Sequence, residues 1–564
     1  MVTTKRHSPL QALTARLFDA TASSQRSWLA LICLVALAPF VDKALNIDDT
    51  LFVWAAEHIL SAPAAPYRFL VNWYDTVQPL YEVMQNPPLT PYFLALLLKM
   101  PGASILTLHL AYLGVAVLAV LGVFELAREY GAPPLFAALA SLGTPVFLVC
   151  SSSLMCDVPL LCLWVWSMTL WLRGTKSERG SLKLAAVLLL TLCGLTKYSG
   201  ICLFPLLFLH CLLRGKKGFA DARYLLMPLA AWGVYELWAT RQFGQGFFLQ
   251  ALSYAADLRG QGRSLLHRAV LGFSFLGGCL LPLPLFFALR KGFRWRAWCV
   301  AWAALATLLF ATNPFGWLPA RASGGQGLLF AAHLALFPMA GVATLVAAGR
   351  RLRASTSEAL LLPLWLLGIF CFALFCNWDI NGRSFLLATP PLAVLVALEV
   401  AHLGERRPAA LGLLLAGLLL SLALGRAEYV WANSMQHEAE ALASEYQTAS
   451  PKPLFKGHWG FQYYMEKAGF KPLDARRDTL APGDALLIAF NTSHSLRLPL
   501  EKFELRGETR RAPVRWATIT HANAGAGFHS SLFGPLPYLL FHGEEDVYRR
   551  YRALVTLGPT PQNP

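Results

Sequence analysis

Asp48 and Asp49 are adjacent carboxylates placed directly after the first apolar run, in ALNIDDTLFVW. Two like charges beside a membrane surface are costly, so such a pair usually has a partner or a task. A carboxylate at the water–membrane boundary can take a proton from a hydroxyl or amine. Two together could also bind a divalent cation, so the pair is a candidate metal site as well as a candidate base. The bland alternative is a solvated helix start, because aspartate stabilises the first turn of a helix such as Leu51–Leu60. Asp157, in SSSLMCDVPLLCLW, opens a later apolar helix; it is either a cap or a second carboxylate converging on Asp48. Lys197, in LCGLTKYSGICLF, is flanked by apolar residues and must snorkel, pair or meet an anion. Arg383, at the end of NWDINGR, has the fork geometry that clamps phosphate, or else it anchors the interface or pairs with Asp379. Tyr67, Arg68 and Asn86 lie in the same loop as the acidic pair and are expected substrate contacts.

These residues need a scaffold, and the composition says which kind. The 564 residues are 56% hydrophobic and 14% charged, with mean hydropathy +0.48. A soluble domain carries about 25% charged residues, so this chain belongs in lipid. The formal charge of +16 sits mainly in short turns between apolar runs, which reflects topology and not nucleic-acid binding. Eleven cysteines lie in or beside apolar runs, without disulfide or zinc spacing, and read as small buried hydrophobes. The first apolar run lacks a convincing cleavage site and reads as a retained anchor.

Periodicity and length predict about thirteen membrane helices: 28–45, 105–126, 133–151, 155–172, 183–195, 199–213, 223–239, 264–289, 297–312, 327–348, 358–376, 384–403 and 409–425. Every even-numbered connection is basic, as the positive-inside rule requires. On this map residues 1–27 are cytoplasmic, 28–425 form the membrane domain, and 45–104 is the first outer loop. Residues 89–103 read as a juxtamembrane or re-entrant helix. Asp48, Asp49, Asp157, Lys197, Trp378–Arg383 and the tail all face outward. Residues 426–564 mix charges of both signs and predict a small α+β domain outside the membrane, with a strand over Ala485–Phe490. The outer loop 240–263, with Arg241, Tyr254, Arg259 and Arg263, could be a lid or part of an aromatic belt. His458, Trp459, Tyr463 and Tyr464 fit domain core better than a sugar-stacking face. Asn491-Thr492-Ser493 matches a glycosylation sequon, a triplet too common to carry weight. There is no Walker A, HExxH or DxD motif, which argues against an ATP-driven pump, a zinc protease and a nucleotide-sugar site.

Taken in order and sidedness, these residues resemble the polytopic glycosyltransferases of the GT-C fold, in the family of protein O-mannosyltransferases and the lipid A aminoarabinose transferase (glycosyltransferase family 39-like). Asp48-Asp49 matches the family's acidic pair after the first helix. Asn86-Pro87-Pro88-Leu89 is similar to its Pro-Pro-Leu element, and Asp157 to its acidic helix start. Thr196-Lys197-Tyr198 is similar to Thr-Lys-Gly without the immediate glycine. Arg383-Ser384 departs from its Arg-Tyr by losing the aromatic residue. The resemblance covers roughly residues 28–425. It implies a polyprenyl-phosphate sugar donor and inversion at the anomeric carbon. Asp48 is then the base, Asp49 its assistant or a metal ligand, Asp157 orients acceptor or base, and Lys197 and Arg383 neutralise the departing phosphate. It implies a protein, lipid or glycan acceptor, and no cofactor beyond a divalent cation. A bacterial inner membrane with the tail in the periplasm is the expected location. The competing readings are a transporter or flippase for a lipid-linked glycan, and a noncatalytic membrane scaffold.

Overall fold

The computed structural model describes residues 24–260, 264–319, 324–354, 356–493 and 497–559, the side chains of 255, 257–260 and 324 excepted. The chain is mostly helical, as its apolar composition dictates. Among the described residues six helices are long and apolar enough to cross a membrane, or up to eight if each of two bent pairs counts as one span. The long ones include Ile105–Glu129, Trp295–Thr312 and Gly325–Arg351.

Several expected spans are broken or short. The run 133–151 is two helices, Pro134–Leu142 and Pro145–Ser151, bent by 67° where Pro145 starts a new first turn. The run 264–289 bends by 77° between Leu265–Cys279 and Leu283–Leu289, across Pro282. Around Lys197 the chain makes a helix Gly180–Thr196, a tight turn Tyr198–Cys202 and a helix Leu203–Leu213. Gly200 makes that turn fit: a Cβ there would stand 2.2 Å from the Cys193 carbonyl oxygen. Residues Leu89–Leu98 form a short helix in the first outer loop, and Asp49–Ser61 forms another.

The boundary expected at residue 426 falls inside one continuous helix, Arg407–Glu445. At 39 residues it is roughly 58 Å long, nearly twice the apolar thickness of a bilayer. Its far half buries Trp431, Met435, Ala439 and Leu442 against Trp459 and Phe461 of the tail. The tail's five-stranded sheet runs Lys471–Pro472, Leu454–Lys456, Ala485–Ala489, Asp546–Ala553, Phe503–Arg511 in spatial order. The strand Ala485–Ala489 is antiparallel to Asp546–Ala553, with Leu486 opposite Tyr551.

The stretch between the last two strands does not stay with that sheet. Val514, Ala517, Ile519, Phe528, Leu536 and Tyr538 belong to the same core as the apolar helices. The Tyr538 hydroxyl donates to the Gly278 carbonyl (2.9 Å), near the far end of helix Leu265–Cys279, and the Ser274 hydroxyl donates to the Pro535 carbonyl (2.8 Å). Backbone outside a helix is tolerated among spans only when its polar groups are paired. Here Gly527 N donates to Leu536 O and Leu536 N to Gly525 O.

Candidate functional site

A cavity of about 150 Å³ opens where the first outer loop meets the bundle. Asp48, Trp73, Tyr74, Asn86, Lys197, Tyr198, Tyr254, Asn377, Asn381 and Arg383 line it. It lies at the Asp157 end of helix Asp157–Lys176, opposite the basic residues Arg173 and Lys176. A narrower crevice adjoins it, walled by Leu160, Ile369, Phe372, Leu386 and Leu387. Lys197, Tyr198, Asn377 and Arg383 border both spaces. They form a polar neck between the chamber and a crevice of mixed lining, which Asp157, Ser199 and Ser384 also border.

The charges at the neck are paired crosswise. Arg383 Nη1 lies 2.9 Å from Asp48 Oδ2, and Lys197 Nζ lies 2.8 Å from Asp157 Oδ1. Asp48 keeps 30% of its side chain exposed, whereas Asp157 keeps 6%. Asp48 therefore faces the chamber, and Asp157 serves as the buried counterion of Lys197.

Asp49 is turned away. It is fully buried. Its Oδ1 accepts from Ser153 Oγ (2.5 Å) and from Leu154 N (2.8 Å), while Oδ2 faces Lys43 Nζ and Asn46 N, each at 3.4 Å. Lys43 in turn lies 3.6 Å from Glu428, which pairs with His529 at 3.3 Å. Asp49 thus pins the loop that leads into Asp157. A divalent cation shared by Asp48 and Asp49 does not suit this donor set, because the Asp49 oxygens are engaged elsewhere. Among the described residues no three His, Cys, Asp or Glu side chains group so as to hold a metal ion.

The remaining candidates divide. Asn86 lines the cavity. Tyr67 is fully buried; its hydroxyl donates to the Asn86 carbonyl (2.8 Å), and its ring stacks on Phe247, so it supports the wall from behind. Arg68 reaches away from the cavity and donates to the Gln242 carbonyl (2.5 Å). In the outer loop 240–263, Tyr254 lines the cavity and Arg241 is exposed. The Arg259 side chain and Arg263 lie outside the described residues. Asp379 does not pair with Arg383: it accepts from Ser531 N (3.1 Å) and from the Ser531 hydroxyl.

Two grips from the tail shape the cavity, and sequence reasoning missed both. The first holds the loop that carries Asn377, Asn381 and Arg383. Gly382 N donates to Phe528 O (2.7 Å) and Ser531 N to Ile380 O (3.0 Å). A Cβ at Gly382 would stand 2.8 Å from the Phe528 ring, so only glycine allows this approach. The second holds the hairpin Leu70–Asn72/Val77–Pro79, whose tip carries Trp73 and Tyr74. Asp75 at that tip is 2% exposed, and its carboxylate lies 2.6 Å from Lys456 Nζ and 3.3 Å from His458 Nε2. Burial pulls the Lys456 ammonium below its ordinary pKa, with Asp75 opposing the shift. Gln462 donates to the Asn72 carbonyl (2.8 Å), and Asn72 to that of Leu473 (2.9 Å). The only sequence signal was the mixed charge of the tail itself. Trp459 and Tyr463 are buried in the core shared by the tail and the first outer loop. Asn491 is buried too, with its amide donating to Asp546 Oδ1 (2.7 Å), so the sequon offers no free nitrogen.

Such a chamber can do one kind of chemistry well. A carboxylate that is half open to water can accept a proton from an incoming hydroxyl or amine. Two cations, Arg383 in contact with Asp48 and Lys197 paired with Asp157, can neutralise an anion leaving toward the adjoining crevice. The fold and cavity define a multi-pass helical membrane protein with a charged chamber closed by its own outer loops and tail. Residues 85–244 match the family model described as dolichyl-phosphate-mannose-protein mannosyltransferase. The chain resembles the GT-C glycosyltransferases of that family, as its motifs indicate. A comparison with curated protein sequences gives no match. Among solved structures, ArnT from Cupriavidus metallidurans bound to undecaprenyl phosphate aligns at 15% identity over 83% of this chain and 94% of that one, with TM-score 0.41. The S. cerevisiae protein O-mannosyltransferase Pmt1–Pmt2 complex bound to the sugar donor aligns at 15% identity over 43% of this chain and 38% of that one, with TM-score 0.32. The arabinosyltransferase EmbB from Mycobacterium smegmatis aligns at 17% identity over 87% and 47%, with TM-score 0.31.

Proposed function

We propose that this protein transfers a sugar from a polyprenyl-phosphate donor to an acceptor at the outer face of the membrane, by an inverting displacement assisted by a general base. One observation carries the reading: a half-open carboxylate, Asp48, shares a cavity with two cations, Lys197 and Arg383, at the mouth of a crevice with one apolar wall. In the reaction the donor's phosphate sits at the neck and its isoprenoid chain enters the crevice walled by Leu160, Ile369, Phe372 and Leu386. Asp48 takes the proton from the acceptor hydroxyl or amine as that atom attacks the anomeric carbon. The bond from that carbon to the phosphate oxygen breaks, and its electron pair leaves with the polyprenyl phosphate. Lys197 and Arg383 stabilise the charge that grows there. The neighbours named in the comparisons, one bound to undecaprenyl phosphate and one to a sugar donor, agree with a lipid-linked donor. The protein acts in a bacterial inner membrane, with its tail on the periplasmic side.

The test is direct. Purified protein in detergent is incubated with labelled polyprenyl-phosphate sugars and envelope extract, and the labelled product is identified. Transfer by the native chain, abolished in Asp48→Ala with the melting temperature preserved, is the expected result. Label that crosses a proteoliposome bilayer without covalent transfer would assign the chain to lipid-linked glycan transport instead.

A further inference from the structure

A second cavity, of about 490 Å³, lies in the tail and shares no lining residue with the chamber. It is the larger of the two and falls within the roughly 300–1,000 Å³ of small-molecule sites. Three stretches wall it, Phe490–Ser493, His521–Asn523 and Leu532–Phe533, together with Glu545 and Val547. The first of them includes the triplet Asn491-Thr492-Ser493, whose asparagine is already held by Asp546.

The lining is polar without being cationic. Among the described residues no lysine or arginine borders the space. The two guanidinium groups nearby are engaged. Arg549 stands 4.9 Å over the Phe490 ring and donates to Glu508 (2.6 Å), and Arg510 lies 3.4 Å from Glu545. A phosphorylated or sulfated ligand therefore finds no free counter-charge there. Burial pulls the His521 imidazole below its ordinary pKa, with Glu544 opposing the shift, so the ring is neutral. What the walls offer is hydrogen bonding beside apolar surface. Ser493 Oγ is buried and has no hydrogen-bond partner among the described residues. Asn523 and Glu545 are exposed, and Phe490 and Phe533 are half-buried. Hydroxyl, amide and carboxylate around aromatic rings suit an uncharged sugar, whose hydroxyls pair with the polar groups while its C–H face covers a ring.

The position of the cavity ties it to the chamber. Phe533 N donates to Ser530 O (3.2 Å) and closes a tight turn. Within that turn Ser531 N reaches the Ile380 carbonyl (3.0 Å), on the loop that carries Asn381 and Arg383. The next two residues, Leu532 and Phe533, wall the tail cavity. The two spaces are thus joined through one turn of chain.

We infer that the tail cavity binds an uncharged glycan and holds that part of the acceptor beside the chamber. The acceptor role rests on the proposed transfer, whereas the binding does not depend on it.

The experiment screens the purified full chain in detergent against an array of neutral oligosaccharides. Isotherms for the best ligand are then measured with the native chain, Asn523→Ala, Glu545→Gln and Asp48→Ala. Asn523 and Glu545 are exposed, so their substitution is expected to leave the melting temperature unchanged. Saturable binding by the native chain is expected, about tenfold weaker in each tail variant and unchanged in Asp48→Ala. The absence of any saturable neutral ligand overturns the inference, as does native affinity in both tail variants. Preference for a phosphorylated oligosaccharide over its neutral form, or for peptides over sugars, overturns the ligand class. Loss of affinity in Asp48→Ala would seat the sugar in the chamber and refute the second site. Binding by the native chain without any transfer of label upholds the cavity and strikes the proposed reaction with its acceptor role. Transfer without neutral-glycan binding does the reverse, so the two failures are told apart.

Discussion

Replacing Asp49 with asparagine should damage the fold, and replacing Asp48 the same way should damage the chemistry. Asp49→Asn removes a fully buried charge that accepts from Ser153 and Leu154 and faces Lys43. Lys43 is itself 2% exposed and would be left with Glu428 alone, 3.6 Å away. Breaking a buried pair from one side costs about 3–5 kcal/mol. At roughly 2 °C per kcal/mol for a large domain, the melting temperature falls by about 6–10 °C. Asp48→Asn keeps an oxygen for Arg383, and its side chain is 30% exposed, so the melting temperature moves far less. It loses the proton acceptor, which lowers turnover by about a hundredfold to ten-thousandfold. The assay pairs tryptophan-monitored melting in detergent with single-turnover transfer from a labelled donor. A stable Asp49→Asn without activity, beside an active Asp48→Asn, would refute the assignment of pin and base.

Two further outcomes follow from the tail. Burial raises the Asp546 carboxyl from the ordinary 3.8 to about 7. Between those values the native state holds a proton that the unfolded chain has released, so stability falls as pH rises through that window. Melting temperatures at pH 5 and pH 8 should show this fall, and Asp546→Asn should flatten it; an unchanged slope would count against the cause. Asp75→Asn should loosen the hairpin by weakening its link to Lys456, seen as faster hydrogen exchange over residues 70–79 and a turnover several-fold lower. Exchange identical to the native chain would refute that grip.

Part of the site is legible in the sequence: apolar runs and basic turns predict Asp48, Asp157, Lys197 and Arg383 at the same end of the bundle, and the structure sets the four around one neck. The expectation of thirteen spans came from apolar runs and the alternation of basic turns, and neither shows where a run bends at Pro145 or Pro282. The division of labour between Asp48 and Asp49 was not legible either. Two neighbours at a helix start point in different directions, and only the positions of Ser153 and Lys43 decide which one is sequestered. The boundary at 426 looked like a domain border because charge returns there. Yet the helix continues to Glu445 and later residues re-enter the apolar core, a contact between positions far apart in sequence.

That re-entry has a consequence for biogenesis. Residues 514–539 leave the ribosome after every apolar helix has been made, yet Phe528 and Tyr538 complete the packing around Gly382 and Gly278. The bundle therefore gains the last of its packing only once these late residues have been made and have folded back onto it, and a chain cut short upstream of residue 514 would lack the contacts at Gly382 and Gly278.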